Sequence, residues 1–332
     1  MKLFFCTRYT NLNFQLAIRT PNQLKHIEYL LRIRYFVKYL KLFLITLFVC
    51  IAAIFISSPA KYMQSFFDGL TVWAYNVLPA LFPFTVLTTL ALKIKPRGKH
   101  SLTKTLFGIS CDSEFVMSLL CGYPIGAKAI ADSNADTTTA TRMCSFCSSV
   151  GPIFMIATVG AKLLQNSVAT VILIVAHFLS VILNGLIYRR KKLIVNLSEN
   201  GSHFVPSDFG NTITNSALSI ISVGGVIALF YMLADMIKNL LPVALSDNLA
   251  VSFAIGLLEM TNGVFGICKL TDVATATVLS STLLAFGGLC VFLQCYAFLG
   301  TKNIKAVDIF KMKMTQSAFA TILSFVLVKI FL

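Results

Sequence analysis

Apolar residues gather in long runs at 40–57, 74–94, 143–163, 167–188, 214–240, 271–299 and 313–332. Runs of about 17–25 apolar residues cross a bilayer as helices, so this pattern predicts about seven full spans and an all-α polytopic membrane protein. Two shorter apolar stretches, 114–130 and 249–268, are interrupted by glycine or carry an acid. Segments of that kind predict re-entrant hairpins or broken helices.

The composition agrees. Of 332 residues, 57% are hydrophobic and only 12% charged, about half the charged share of soluble domains. The net charge of +15 does not point to nucleic acid, because the basic residues flank the apolar runs, where they orient helices. Residues 1–41 form a basic arm with the single acid Glu28, read as cytoplasmic and lipid-facing. A cleaved signal is not expected, since the first long apolar run begins near Leu40 and no small-residue cleavage site precedes it. There is no G-x-x-x-x-G-K-[ST] loop, no G-x-G-x-x-G fingerprint and no H-E-x-x-H, so neither an ATP-driven pump nor an enzyme is expected, and no cofactor. Cys144 and Cys147 lack the further ligands of a metal site and read as helix-packing residues.

Charge also sets an expected topology. Basic residues cluster at 93–104, at Arg189, Arg190, Lys191 and Lys192, and at Lys302, Lys305, Lys311 and Lys313. Placing these and the arm in the cytoplasm obeys the positive-inside rule only if 114–130 and 249–268 each enter and leave on one side. After a first span and connector at 42–73, residues 74–188 and 214–332 then read alike, as span, hairpin, span, span, around a cytoplasmic linker at 189–213. The second set starts from the opposite side, which predicts an inverted-topology repeat. Gly151-Pro152 in the first half matches Gly287-Gly288 in the second.

The stretch "CGYPIGAK", Cys121 to Lys128, carries the chemistry of the first hairpin. Gly122, Pro124 and Gly126 oppose a continuous helix. A helix starting after Pro124 would aim free N–H groups at the turn, a setting for a carboxylate ligand. Lys128 reads two ways, as a cation for that carboxylate or as a side chain snorkelling to the cytoplasmic interface. Glu259 in "GLLEMTNG" is an acid inside the second hairpin, expected to carry a coupling proton or cation or to pair with a lysine. Thr261 and Asn262 share its turn, Ser148, Ser149 and Gly151 precede Pro152, and Gln294 follows Gly287-Gly288. These are substrate ligands or helix–helix hydrogen-bonding groups. His177 reads as a packed residue, and Asp235 with Lys238 as a local pair.

The blocks "LPALFPFTVLTTLAL", "CGYPIGAKAIADS", "CSFCSSVGPIFMIATVG", "GLLEMTNG" and "LLAFGGLCVFLQCYAFL", in that order, resemble the sporulation integral membrane YlbJ family over about residues 70–332. The resemblance implies a nucleoside-recognition or Gate domain and a role in endospore-forming bacteria. It implies a membrane around the forespore and transport of dipicolinate, a small aromatic dicarboxylate, on whose ring Tyr123 could stack. Two functions follow as expectations. One is a secondary transporter or facilitator of a small organic anion. The other is a non-transporting membrane scaffold that recruits or stabilises other sporulation proteins; a second copy or other sporulation membrane proteins are the expected protein partners. Broken membrane helices favour the first.

Overall fold

The computed structural model describes residues 21–94, 101–189, 195–196, 207–242 and 248–332. The expectations for residues 1–20, the loop 95–100 and the basic run 190–194 lie outside the described residues. The chain divides into two units, Met1–Pro59 and Ala60–Leu332. In the first, α1 (Pro21–Ser57) is a single helix of 37 residues with no interruption at 41. The basic arm and the first span therefore share one helix from Pro21 onward, and its apolar part is Lys38–Ser57.

In the second unit, α2 (Pro59–Val72) continues through a wide π-helical turn, Trp73–Val77, into α3 (Leu78–Ile94). The wide turn lies where Pro79 and Pro83 follow and remove two backbone donors from the helix ladder. The expected span at 74–94 is thus the second part of a longer helical stretch, Pro59–Leu92. The short α4 (Leu102–Phe107) is capped by the Ser101 hydroxyl and ends at Gly108. Two-residue strands, β1 (Ile109–Ser110) and β2 (Val195–Asn196), pair in parallel and leave the class all-α.

The remaining elements fall into two similar series. In the first, α5 (Asp112–Cys121) and α6 (Ile125–Asp132) are joined by the break at Gly122–Pro124. α7 (Thr137–Met143) stops, the chain is non-helical from Cys144 to Gly151, and a π-helix, Phe154–Leu164, follows. α8 (Ser167–Ile187) closes the series. In the second, α9 (Ser207–Leu240) leads to α10 (Leu249–Leu258) and α11 (Met260–Leu270), which are joined at Glu259. α12 (Val273–Phe286) breaks at Gly287 before α13 (Gly288–Leu299), and α14 (Ala306–Phe331) ends the chain.

Among the described residues, six helical stretches are long and apolar enough to cross a membrane, one fewer than expected. The missing one is 143–163. Its polar, small-residue start, "CSFCSSVG", leaves the helix, and only its apolar end stays helical. This is a multi-pass integral membrane protein.

Close backbone approach holds the second two-helix unit together and ties the first to the first broken span. A methyl group on Gly263 would overlap the Cα of Gly256 in the facing arm, and one on Gly126 would stand 2.6 Å from the carbonyl oxygen of Cys147. Hydroxyl residues join α12 to α14. Ser317 Oγ donates to the Thr282 carbonyl at 2.9 Å, and the Thr282 and Thr321 hydroxyls lie 2.8 Å apart. Small and hydroxyl side chains are what membrane helices use in place of a hydrophobic driving force.

Candidate functional site

Four interruptions of the backbone converge. Gly122 at the first tip has φ +75° and faces the main chain of Gly151 in the first broken span. At Gly288 in the second broken span, a Cβ would stand 3.1–3.3 Å from the main chain of Gly256, Met260 and Leu258 at the second tip. Tyr123 links the two pairs. Its hydroxyl donates to the carbonyls of Leu284 and Ala285 at 3.1 and 3.3 Å, at the end of α12.

Between these breaks lies a cavity. Tyr123, Gly151, Glu259, Thr261 and Gln294 line it, with an otherwise apolar wall from α3, α9 and α13 that includes Leu81, Ile227 and Val291. A largely apolar cleft with a few convergent polar groups is the usual form of a small-molecule site. Gln294 also donates through Nε2 to Cys290 Sγ at 3.4 Å.

Glu259 is buried and caps α11. Its two carboxylate oxygens accept from the amides of Thr261 at 3.0 Å and Asn262 at 2.7 Å. A helix N-terminus favours negative charge, so the local sequence Glu-Met-Thr-Asn builds its own anion site. Asn262 Oδ1 accepts from Lys238 at 3.1 Å, so the hydrogen-bond partner of Lys238 is Asn262 rather than the expected Asp235. α6 starts at Ile125 after Pro124, and no side chain caps it. Its first amide donors are not open to a ligand throughout, since Gly126 N–H donates to the Gly122 carbonyl.

Lys128 is not in this cavity. It lies one turn into α6, and its Nζ donates to Ser219 Oγ of α9 at 2.9 Å. That contact lines a separate, more polar cavity that also holds Thr85, Glu114, Asp132 and Asn215. Lys128 and Glu259 therefore do not share one cavity. Ser149 turns away as well: its hydroxyl donates to the Ser118 carbonyl at 2.8 Å and locks the first broken span to α5.

Sequence reasoning misses Lys313. Its position groups it with the basic residues before the last span, but α14 begins at Ala306 and carries it inside, where it is 5% exposed. Its Nζ donates to the Ser148 carbonyl and to Tyr123 Oη, both at 2.7 Å, to Gln316 Oε1 at 3.2 Å and to the Ala285 carbonyl at 3.5 Å. It also stands 4.3 Å over the Tyr123 ring. Removing an ammonium from water costs several kcal/mol unless such bonds replace its hydration.

One signal for this site is present in the sequence. Asp136 and Asp272, Gly151 and Gly287, and His177 and Lys313 are each 136 residues apart. The first pair heads the same pattern, Asp-x-x-Thr-Ala-Thr, and each aspartate caps the helix that leads into a break. His177 on α8 is buried, and its Nε2 accepts from the Val150 amide at 3.1 Å, beside Gly151. Lys313 is at the matching place on α14. Each last helix of a series thus braces a break with a polar side chain.

No family model matches the chain, and no solved structure matches it. The chain is similar to the sporulation integral membrane protein YlbJ of Bacillus subtilis (strain 168), with 25% identity over an alignment that covers 85% of this chain and 81% of the relative. This similarity agrees with the resemblance carried by the five ordered blocks.

Proposed function

We propose that the protein is a secondary transporter or facilitator of a small organic anion during sporulation, with the cavity between the four breaks as its substrate site. The observation that carries this reading is the convergence of two helix-pair tips and two broken spans on one cavity. Irregular backbone at membrane depth is tolerated where it lines a cavity, and a scaffold has no need of it. In this reading the two series are an inverted repeat, and α5–α6 and α10–α11 are re-entrant hairpins belonging to a Gate-type domain. Tyr123 stacks on the substrate, while Thr261 and Gln294 orient it beside Gly151, and Gly122, Pro124, Gly126, Gly287 and Gly288 form the breaks around them. Glu259 is the coupling group. As a carboxylate it repels an anion and holds the α11 N-terminus; protonated, it releases those amides to the substrate's own carboxylate. Lys128, in its own cavity, attracts the anion on its way in.

In this reading, which the family resemblance suggests, the substrate is dipicolinate, moved from mother cell toward forespore across a membrane around the forespore. The test is uptake of labelled dipicolinate by proteoliposomes that contain the purified protein. Saturable uptake above protein-free liposomes supports the reading. Its absence, with folded protein present in the liposomes, returns the chain to the scaffold role, in which it recruits other sporulation membrane proteins.

A further inference from the structure

The cage around Lys313 is made of oxygens, and among the described residues none of the partners of its ammonium is a carboxylate. Two of the four are main-chain carbonyls exposed by helix breaks. Ser148 lies in the non-helical stretch of the first broken span, and Ala285 lies at the end of α12 just before Gly287. Tyr123 at the first tip supplies the third oxygen and Gln316, on the same helix as the lysine, the fourth. One positive charge thus ties together the first tip and both broken spans. Unwound carbonyls and half-helix C-termini of broken membrane helices are the groups that coordinate a coupling Na⁺ in secondary transporters. Here that place is filled by a covalently held ammonium.

We propose that Lys313 is the resident cation of the transport site, standing where a sodium ion would otherwise bind, so that substrate uptake needs no Na⁺. The inference rests on the transporter reading and adds the ionic requirement of that same site. Because the ammonium is tethered to α14, it stays behind Tyr123 whether or not substrate is bound. That suits an anionic substrate in a cavity whose one lining acid, among the described residues, is Glu259. The counterpart on the first series, His177, presents a ring nitrogen that accepts a hydrogen bond, so it braces its break without supplying a cation.

The experiment has a transport arm and a protein-only arm. In proteoliposomes, wild-type uptake of labelled dipicolinate is expected to be the same in Na⁺ as in N-methylglucamine. Lys313→Ala is expected to lower uptake about tenfold to a hundredfold, with partial recovery on adding Na⁺ or methylammonium, which fit the emptied cage. In detergent, the thermal midpoint of Lys313→Ala is expected to rise with methylammonium but not with the bulkier tetramethylammonium, and the wild-type midpoint to respond to neither. Lys313→Ser is read in parallel in case the alanine variant is not recovered. A wild-type protein that requires Na⁺ overturns the proposal. So do variants whose midpoints ignore small cations, or are recovered from membranes neither with nor without methylammonium. No wild-type uptake in any salt defeats the transporter reading instead, and the thermal arm then still decides whether the cage holds a cation.

Discussion

A methyl group on Gly122 would overlap the amide nitrogen of Gly151, which binds the first tip to the first broken span across an approach only glycine allows. Gly122 also has φ +75°, a conformation that strains any residue with a Cβ. Gly122→Ala is therefore expected to lower the amount of folded protein in the membrane and its thermal midpoint. At Gly225 on α9, a Cβ would have nothing within 4 Å, and Gly225→Ala should leave both unchanged or slightly improved. Equal loss in the two variants would remove the special role of the Gly122–Gly151 approach.

Tyr123→Phe keeps the ring and removes the hydroxyl that accepts from Lys313 and donates to the end of α12. Leaving a buried charge one acceptor short costs about 1–3 kcal/mol, so the thermal midpoint should fall by several degrees. Stacking on an aromatic substrate should survive. The variant is expected to bind dipicolinate while transporting it more slowly, which binding and uptake measured on one preparation will separate.

Lys128→Met tests the second cavity. Its Nζ meets Ser219 in a cavity apart from Tyr123 and Glu259, so in the proposed reading it acts before substrate reaches the site. The substitution is expected to raise KM for uptake and leave the maximal rate unchanged, with the difference shrinking at high salt. A lowered maximal rate at unchanged KM would contradict that placement.

These residues show what is legible in a sequence. Gly122, Pro124, Gly151 and Gly287 announce breaks because backbone chemistry is written in residue type, and the chain breaks at those residues. Lys313 is illegible as a site residue because a lysine at the end of a basic run looks like loop charge. Its depth depends on α14 starting at Ala306, a boundary that apolar periodicity does not mark. Lys128 misleads for a related reason: sequence gives its distance along α6 but not the direction of its side chain. The Asp-x-x-Thr-Ala-Thr pair is readable and stronger than the apolar identities that suggest the repeat, since polar capping residues recur by chance less often than leucines do.

Those caps make a pH prediction. Hydrogen bonding to Thr139 holds the Asp136 carboxyl below its usual range, and the Thr275 amide does the same for Asp272. A carboxyl whose folded value is depressed stabilises the fold above its unfolded value near pH 4, and loses that contribution as pH falls through the folded value. Thermal midpoints should therefore fall on acidification below about pH 4. Asp136→Asn with Asp272→Asn should flatten that fall, because Asn still caps but does not titrate. An acid limb of unchanged steepness would assign it to other groups.

Glu259 separates coupling from capping. Its oxygens accept from two amides of α11, so any substitution disturbs the cap as well as the charge. Glu259→Ala removes both and should cost about 0.5–2 kcal/mol, the usual loss of an N-cap. Glu259→Gln keeps one carbonyl oxygen for an amide and loses the charge, so it should reach the membrane near the wild-type level. If Glu259 couples transport by exchanging its carboxylate for that of the substrate at the α11 N-terminus, the glutamine variant cannot cycle. It should lose accumulation against a gradient while still binding dipicolinate and equilibrating it downhill. The measurement is uphill and downhill uptake in one set of proteoliposomes, alongside protein content. Full accumulation by Glu259→Gln would leave Glu259 as a helix cap, and the coupling of transport would then have to be sought elsewhere in the cavity.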